Sequence, residues 1–106
     1  MISCISLARD LIRKEISALE LKEKLKLHEN IQLIDVREPS EYEMHNIGAV
    51  LIPLGQLVDN LDKIKRDVTV VVHCQSGIRS KKAVDLLIQE GYKNVFSLKG
   101  GIAAFN

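Results

Sequence analysis

The sequence predicts an α/β fold built on a parallel sheet of about five strands with helices on both faces. Stretches of strand length alternate with stretches whose apolar residues recur at helical spacing, and the predicted strands are apolar along their whole length. Strands without an alternating polar side are typical of a sheet that is covered on both faces. The 106 residues suffice for one such domain, since a chain of this size buries roughly two thirds of its unfolded surface.

The start of the chain divides into two parts. We interpret residues 1–14 as a lead-in segment, because their helical spacing is short and lacks a strong cap, and residues 15–106 as the domain. The first clear signal is a capping box formed by Ser17 and Glu20, which predicts a helix to about Leu27.

The next predicted elements are two strands separated by a short helix. Residues 32–36 form an apolar run closed by charge, and Pro39 starts a brief helix that extends through Met44. The second strand spans 49–52, and Pro53 ends it. An α-helix is expected to follow, because apolar residues recur there at spacings of three and four. These residues are Leu54, Leu57, Val58, Leu61 and Ile64.

The second half of the chain is predicted to hold the central strand, 68–73, and a long helix after it. That helix extends to Glu90, and Gly91 supplies its C-terminal cap. Its apolar side is formed by Ala83, Val84, Leu87 and Ile88. The last strand covers 95–98, and a glycine turn leads to a final short helix at 102–106.

The composition is that of an ordinary globular protein and excludes several functional classes. Hydrophobic residues make up 46% of the chain and charged residues 27%, which excludes a disordered or fibrous protein. The net charge is +1, with no long basic run and few aromatic residues, so we expect no nucleic-acid partner. No stretch reaches membrane-spanning length and the N-terminus lacks a basic signal-peptide region, so we expect no membrane partner and a cytoplasmic location.

The cysteine count agrees with a reducing compartment. Two cysteines are too few for a disulfide framework. Cys4, near the N-terminus, is interpreted as a packing residue rather than a resolving thiol.

Cys74 is the candidate nucleophile. It opens the turn between the central strand and the long helix, at the strand end where parallel α/β sheets bind ligands. Such a turn directs several backbone N–H groups at one point, and together with Arg79 they should lower the pKa of the thiol. The resulting thiolate is the nucleophilic form. The alternative is a buried structural cysteine, which would need neither Gly77 nor Arg79 in its loop.

Residues 74–80, Cys-Gln-Ser-Gly-Ile-Arg-Ser, resemble the active loop of rhodanese domains, which carry sulfur as a cysteine persulfide. Three flanking segments are similar to the family in order and spacing. They are Leu33-Ile34-Asp35-Val36-Arg37-Glu38 with Glu41-Tyr42, Ile47-Gly48-Ala49 with Ile52-Pro53-Leu54, and Gly100-Gly101. The resemblance covers about residues 16–105. It implies a rhodanese-like parallel sheet and a sulfurtransferase activity.

The resemblance also implies the reactants. A small anionic donor such as thiosulfate, or a protein persulfide, would pass its sulfane sulfur to Cys74. A thiol, cyanide or a sulfur-carrier protein would accept it. We expect neither a cofactor nor a metal.

The expected mechanism is a double displacement, in which the amides of the loop hold the negative sulfur. Arg79 would attract the donor, or alternatively form a salt bridge to a neighbouring carboxylate. Gly77 would supply a backbone angle closed to other residues. The substrate-binding set is Gln75, Ser76, Gly77, Ile78, Arg79 and Ser80, with Gln75, Ser76 and Ile78 at the mouth of the loop.

Residues around the loop receive mainly structural interpretations. His73 points to the sheet face opposite the nucleophile, so we interpret it as a buried, hydrogen-bonded histidine rather than a general base. The resemblance makes Asp35 and Arg37 part of a structural ion network beneath the site. Lys81 and Lys82 oppose the dipole of their helix. They would speed the entry of anionic donors or dock an acidic protein acceptor; the alternative is an ordinary solvated face.

Three alternative functions stay open. Cysteine-dependent phosphatases resemble this pattern, but they place five residues between cysteine and arginine. This chain has four, 75–78, which suits one sulfur atom better than a phosphate. A rhodanese module could instead deliver sulfur to a ubiquitin-like sulfur carrier in molybdopterin or thiamine biosynthesis, because residues 41–43, 46–48 and 51–55 resemble the domain fused to carrier-adenylating enzymes. A non-catalytic binding module is disfavoured by the presence of Cys74.

Overall fold

The structure, a computed structural model, describes residues 14–105, and within them a five-stranded parallel sheet forms the centre of the molecule. The strands are β1 (Glu15–Ile16), β2 (Ile31–Asp35), β3 (Val50–Leu51), β4 (Thr69–His73) and β5 (Val95–Leu98). Their order across the sheet is β1-β5-β4-β2-β3, and every pair is parallel. The predicted fold class is therefore confirmed.

The helices connect these strands. They are α1 (Ala18–Lys26), α2 (Pro39–Met44), α3 (Ile78–Gln89) and α4 (Gly101–Phe105). Two 3-10 helices, Leu54–Gln56 and Val58–Lys63, lie between β3 and β4. Within residues 14–105, no helix combines the length and the apolar character needed to cross a membrane.

The sheet is buried on both faces because alternate residues of its strands face two separate apolar clusters. One cluster joins β2 and β4 to α3 and the 3-10 helices. Its members include Ile34, Val70, Val72, Cys74, Leu57, Ala83, Val84 and Leu87. The second cluster joins the other face of β4 and β5 to α1. Its buried members are Ile16, Leu21, Val71 and Leu98. Leu21 is fully buried, and such a leucine contributes about 1.5–3 kcal/mol.

The start of the domain shows one prediction confirmed and one element missed. The Ser17 hydroxyl accepts a hydrogen bond from the Glu20 amide at 3.1 Å, so the predicted N-cap is confirmed; of the two bonds of a capping box, this is the one that the structure shows. Strand β1 was not predicted, because two residues are too short to show any periodicity. It is held against β5 by hydrogen bonds from the Ser97 amide to the Lys14 carbonyl, at 2.8 Å, and from the Lys99 amide to the Ile16 carbonyl, at 2.9 Å.

The predicted α-helix after Pro53 is wrong. The segment forms two 3-10 helices instead, with a kink at Asn60, whose φ and ψ are −125° and 29°. Apolar spacings of three and four over so short a stretch fit both helix types, because side chains at i and i+3 align in each. Gly55 also weakens the first turn.

The end of α3 agrees with expectation in one respect and not in another. Gly91 has a φ of +94° and its amide donates to the Ile88 carbonyl at 3.0 Å, so it ends the helix as predicted. Ile88 itself is 40% exposed, whereas Leu87 in the same turn is fully buried, so Ile88 lies at the margin of the apolar side of α3. The predicted lead-in, apart from Lys14, lies outside the described residues, and so does Cys4; the boundary near residue 14 stays a prediction.

Candidate active site

The loop that follows β4 begins at the carboxyl end of the central strand. Strand β4 ends at His73, Cys74 follows it, and α3 begins at Ile78. Gly77 precedes the helix with a φ of +107°, a left-handed conformation that favours glycine. This turn is what brings the amides of the loop round toward the sulfur of Cys74.

The Cys74 sulfur lies at the centre of the loop. It accepts hydrogen bonds from the Gly77 amide at 3.0 Å and from the Ser80 amide at 3.4 Å. The Ser80 hydroxyl oxygen lies 3.6 Å from it. Cys74 is only 1% exposed, so these protein groups take the place of water around the sulfur. Two amides and a hydroxyl on one sulfur are typical of a site that stabilises a negative charge.

The pKa of Cys74 reflects two opposing effects. Burial raises the pKa of the thiol, but hydrogen bonds outweigh burial: from the Ser80 hydroxyl first, then from the amides of Ser80, Gly77 and Ser76. The net result is a pKa below the ordinary value of 9.0. The loop therefore favours the thiolate, which is the nucleophilic form.

A buried pair of serines lies behind the sulfur. The Ser80 and Ser97 hydroxyl oxygens are 2.7 Å apart, and Ser80 is also 3.2 Å from the Gly77 carbonyl oxygen. Ser97 belongs to β5, and sequence analysis did not select it. The only signal was a single serine inside an apolar strand, which does not reveal its partner.

The outer side of the loop packs against the start of α4. The Ile102 amide donates to the Cys74 carbonyl at 2.9 Å, and the Ala103 amide donates to the Gln75 carbonyl at 3.4 Å. Gly101, which precedes Ile102, has a φ of +66°, and a Cβ there would be only 2.4 Å from the Gln75 carbonyl oxygen. These bonds engage the loop carbonyls on the side away from the sulfur.

Arg79 forms an ion pair with Glu41 of α2. Its Nη1 and Nη2 donate to the two carboxylate oxygens at 2.7 and 3.0 Å. Hydrogen bonding from Arg79 is the main reason that the pKa of Glu41 is lowered to about 2, and the same pair raises the pKa of Arg79. The salt bridge foreseen as the alternative is thus present, with a partner 38 positions away that sequence analysis did not identify.

The predicted mouth residues are exposed around the loop. Gln75 and Ser76 are accessible, and Ile78 is 68% exposed. Lys81 and Lys82 are also exposed, and the Lys81 ammonium lies 3.5 Å from the Glu15 carboxylate.

A buried ionic cluster occupies the opposite face of the sheet. The Arg37 guanidinium donates to both carboxylate oxygens of Asp35, with the shortest contact at 2.9 Å, and also to the His45 carbonyl at 2.7 Å. His73 is buried beside them, with Nε2 3.6 Å from Asp35 Oδ2 and Nδ1 3.4 Å from the Cys74 carbonyl. Burial lowers the pKa of His73. The cluster lies behind the strand ends. Among the described residues, no hydrogen bond joins its side chains to the Cys74 sulfur.

The described part of the chain contains no group of three or more His, Cys, Asp or Glu side chains placed to hold a metal ion.

Curated relatives match most of the described chain. A sulfurtransferase of Allochromatium vinosum is 36% identical over 92 residues, covering 86% of this chain and 86% of that protein. The uncharacterized protein YqhL of Bacillus subtilis is 45% identical over 71 residues; the match covers 66% of this chain, which spans little more than half of that relative, 56%. The probable adenylyltransferase/sulfurtransferase MoeZ of Mycobacterium tuberculosis is 36% identical over 85% of this chain, which covers 24% of that longer protein.

Solved structures and a family model agree with these matches. The rhodanese-like domain protein of Staphylococcus aureus superposes with a TM-score of 0.82 at 34% identity, covering 88% of this chain and 91% of that one. The model of the rhodanese-like domain matches residues 17–106. With its parallel sheet, its cysteine loop and these matches, the chain belongs to the rhodanese-like domain family.

Proposed function

We propose that this protein is a sulfurtransferase that carries sulfane sulfur as a persulfide on Cys74. The observation that supports this most directly is the pair of amides that donate to the buried sulfur, from Gly77 at 3.0 Å and from Ser80 at 3.4 Å. The Ser80 hydroxyl oxygen, which accepts from the thiol, lies 3.6 Å from the same sulfur. These donors favour a thiolate, and the same turn can hold the negative outer sulfur of a persulfide. Relatives named as sulfurtransferases agree with this proposal.

The proposed reaction has two displacement steps. The Cys74 thiolate attacks the outer sulfur of thiosulfate; a bond forms between Sγ and that sulfur, the sulfur–sulfur bond of thiosulfate breaks, and sulfite leaves with its electron pair. A thiolate or cyanide then attacks the outer sulfur of the persulfide. The bond between Cys74 Sγ and the outer sulfur breaks, and its electron pair stays on Sγ and restores the Cys74 thiolate. The two steps balance without an oxidant, a reductant or a metal.

The other loop residues would bind the reactants. Arg79 would contact the anionic donor, and to do so it would exchange part of its pairing with Glu41. The exposed side chains at the mouth, Gln75, Ser76 and Ile78, would select the acceptor. Asp35 and Arg37 would act as structural residues, since each is buried and pairs with the other behind the loop. A persistent thiolate also fits a reducing, cytoplasmic location.

Loop length favours sulfur transfer over phosphate hydrolysis. Four residues separate Cys74 from Arg79, and the amides that face the sulfur are those of a tight turn. A ring of this size suits one sulfur atom better than a phosphate with three equatorial oxygens. Because Cys74 is present with its hydrogen-bond donors in place, a purely non-catalytic binding module is disfavoured.

The test is intact mass after treatment with thiosulfate. We expect a gain of one sulfur atom that cyanide or a thiol removes. The Cys74→Ser variant should gain no sulfur, while the Cys4→Ser variant, which removes the other cysteine, should gain it as the wild type does. No gain in the wild type, or release of phosphate from an aryl phosphate, would overturn the proposal.

A second candidate concerns the acceptor. We propose as this acceptor a ubiquitin-like sulfur carrier in molybdopterin or thiamine biosynthesis; the match to MoeZ, whose name joins adenylyltransferase and sulfurtransferase, is the observation that favours it. The experiment supplies a persulfide-loaded protein to an adenylated carrier, then adds a thiol, and measures the carrier mass. The outer sulfur of the persulfide would displace AMP to give an acyl disulfide with Cys74, and the thiol would reduce that disulfide to release the carrier thiocarboxylate. Formation of a carrier thiocarboxylate would support this acceptor; turnover with small thiols but none with the carrier would exclude it.

A further inference from the structure

The Ser80 hydroxyl has one proton and three neighbours that can accept it. Ser97 Oγ lies at 2.7 Å, the Gly77 carbonyl oxygen at 3.2 Å and the Cys74 sulfur at 3.6 Å. Ser80 is fully buried and Ser97 is 1% exposed, so bulk water does not compete for these bonds. The direction of the hydrogen bond between the two serines therefore decides whether the Ser80 proton can reach the sulfur.

The two directions have different consequences for Cys74. If Ser80 donates to Ser97, its proton points away from the sulfur and the thiolate loses a donor. If Ser97 donates to Ser80, the Ser80 proton is free to turn toward either the Gly77 carbonyl or the sulfur. A hydroxyl that accepts one hydrogen bond is also a stronger donor in the next.

The Gly77 carbonyl keeps the free-energy cost low when the Ser80 hydroxyl turns from this carbonyl to the sulfur. It accepts a hydrogen bond from the Lys81 amide at 3.2 Å as well as from Ser80. When the Ser80 hydroxyl turns to the sulfur, the carbonyl keeps the Lys81 bond and is not left buried without a partner.

We propose that Ser97 is a positioning residue that donates its proton to the Ser80 oxygen and thereby directs the Ser80 hydroxyl at the Cys74 thiolate. In the thiol form, the Cys74 S–H donates to Ser80, whose own proton lies on the Gly77 carbonyl. When the thiol ionises, the Ser80 hydroxyl turns and donates to the sulfur, while the Ser97 bond stays in place. Ser97 thus acts on the sulfur through Ser80, and the inference rests on the proposed function only in assigning the thiolate a role in sulfur transfer.

The test measures thiol ionisation itself, without any sulfur donor. The rate of alkylation by iodoacetamide is followed against pH in a Cys4→Ser background, so that Cys74 alone is read. We expect Ser97→Ala to shift the midpoint upward by about 0.5–1 pH unit, since one hydrogen bond contributes about 1 kcal/mol and 1.36 kcal/mol corresponds to one unit. A midpoint equal to that of the parent protein would overturn the inference.

Two further comparisons separate positioning from packing. Ser97→Thr and Ser97→Val have the same shape, so the hydroxyl is the difference between them; we expect the threonine variant to keep the lower midpoint and the valine variant to lose it. Ser97→Ala should add no further shift in a Ser80→Ala background, because the effect passes through Ser80. Equal midpoints for the threonine and valine variants, or additive shifts in the double variant, would also overturn it. Because the readout needs no thiosulfate, its failure is distinct from failure of the persulfide mass test.

Discussion

The guanidinium of Arg79 donates two hydrogen bonds to the carboxylate of Glu41, at 2.7 Å between Nη1 and Oε1 and 3.0 Å between Nη2 and Oε2. The pair joins α2 to the first turn of α3 and neutralises a positive charge that interacts with Cys74. Because both side chains are about one third exposed, the pair contributes little to stability. Under the proposed function, an anionic donor that binds Arg79 would have to compete with Glu41 for its guanidinium.

This competition predicts that Glu41→Gln lowers the KM for thiosulfate. Removing the carboxylate charge frees Arg79 for the donor, so we expect KM for thiosulfate to fall by about 3- to 10-fold, with the larger effect at low ionic strength. The measurement is steady-state transfer from thiosulfate to cyanide. Glu43→Gln is the matched control, since it makes the same charge change on an exposed residue of α2. Equal effects in the two variants would argue against competition for Arg79.

A second prediction concerns Gly101, which leaves room for the loop carbonyls. In Gly101→Ala the new Cβ would lie 2.4 Å from the Gln75 oxygen, so the loop must move and the amides lose their aim at the sulfur. We expect sulfur loading from thiosulfate to slow at least about 10-fold, as for the loss of oxyanion donors.

Gly91→Ala is the control for backbone strain in that experiment. It also has a positive φ, +94°, but the nearest atom to its Cβ is the flexible Arg66 side chain at 3.4 Å. Both variants should lose about 1–3 kcal/mol of unfolding free energy and therefore unfold at a lower temperature. Sulfur loading from thiosulfate should slow in Gly101→Ala alone. A comparable loss of activity in Gly91→Ala would show that strain, and not the loop contact, is responsible.

The buried histidine predicts how stability depends on pH. Burial lowers the pKa of His73 below its ordinary value of 6.5, so the unfolded chain binds a proton before the folded one as pH falls. Stability therefore decreases as pH falls below 6.5, down to the folded-state pKa. Urea unfolding should show His73→Gln losing less stability than the wild type as pH falls from about 8 to about 5.5.

His28→Asn is the matched control for this measurement. His28 is exposed and has a φ of 58°, which asparagine tolerates. We expect this variant to keep the pH dependence of the wild type. If His73→Gln did so too, another group would have to account for the acid sensitivity.

We expect a large loss of stability when one charged partner of the ionic cluster is removed. Arg37→Met leaves the fully buried Asp35 carboxylate without its guanidinium, and the free energy of unfolding should fall by about 3–5 kcal/mol. Adding Asp35→Leu removes the unpaired charge, so the double variant should recover much of that loss in urea unfolding. A double variant less stable than the single one would mean that the pair contributes attraction beyond mutual compensation.

Local signals explain why so much of the fold could be predicted from sequence. Strands β2, β4 and β5 are apolar runs, and Ser17, Pro39 and Gly91 mark helix ends by their own backbone chemistry. The same holds for the loop at Cys74, since the residues that surround the sulfur follow it within six positions.

The parts that could not be predicted depend on packing between distant segments. Glu41 reaches Arg79 across 38 positions and Ser97 reaches Ser80 across 17, and neither residue carries a local sign of its partner. The two-residue strand β1 exists only because β5 lies beside it. The 3-10 helices differ from the predicted α-helix through backbone angles that apolar spacing does not encode.

The near-complete burial of Cys74, at 1% exposure, means that its sulfur is almost inaccessible to solvent in the sulfur-free protein. A second sulfur on Cys74 would extend about 2 Å farther, toward the exposed side chains at the rim of the loop. The persulfide form and the sulfur-free form would then differ in the atoms that an acceptor can contact. An acceptor would distinguish the persulfide form from the sulfur-free form by these exposed atoms alone, with no rearrangement of the backbone.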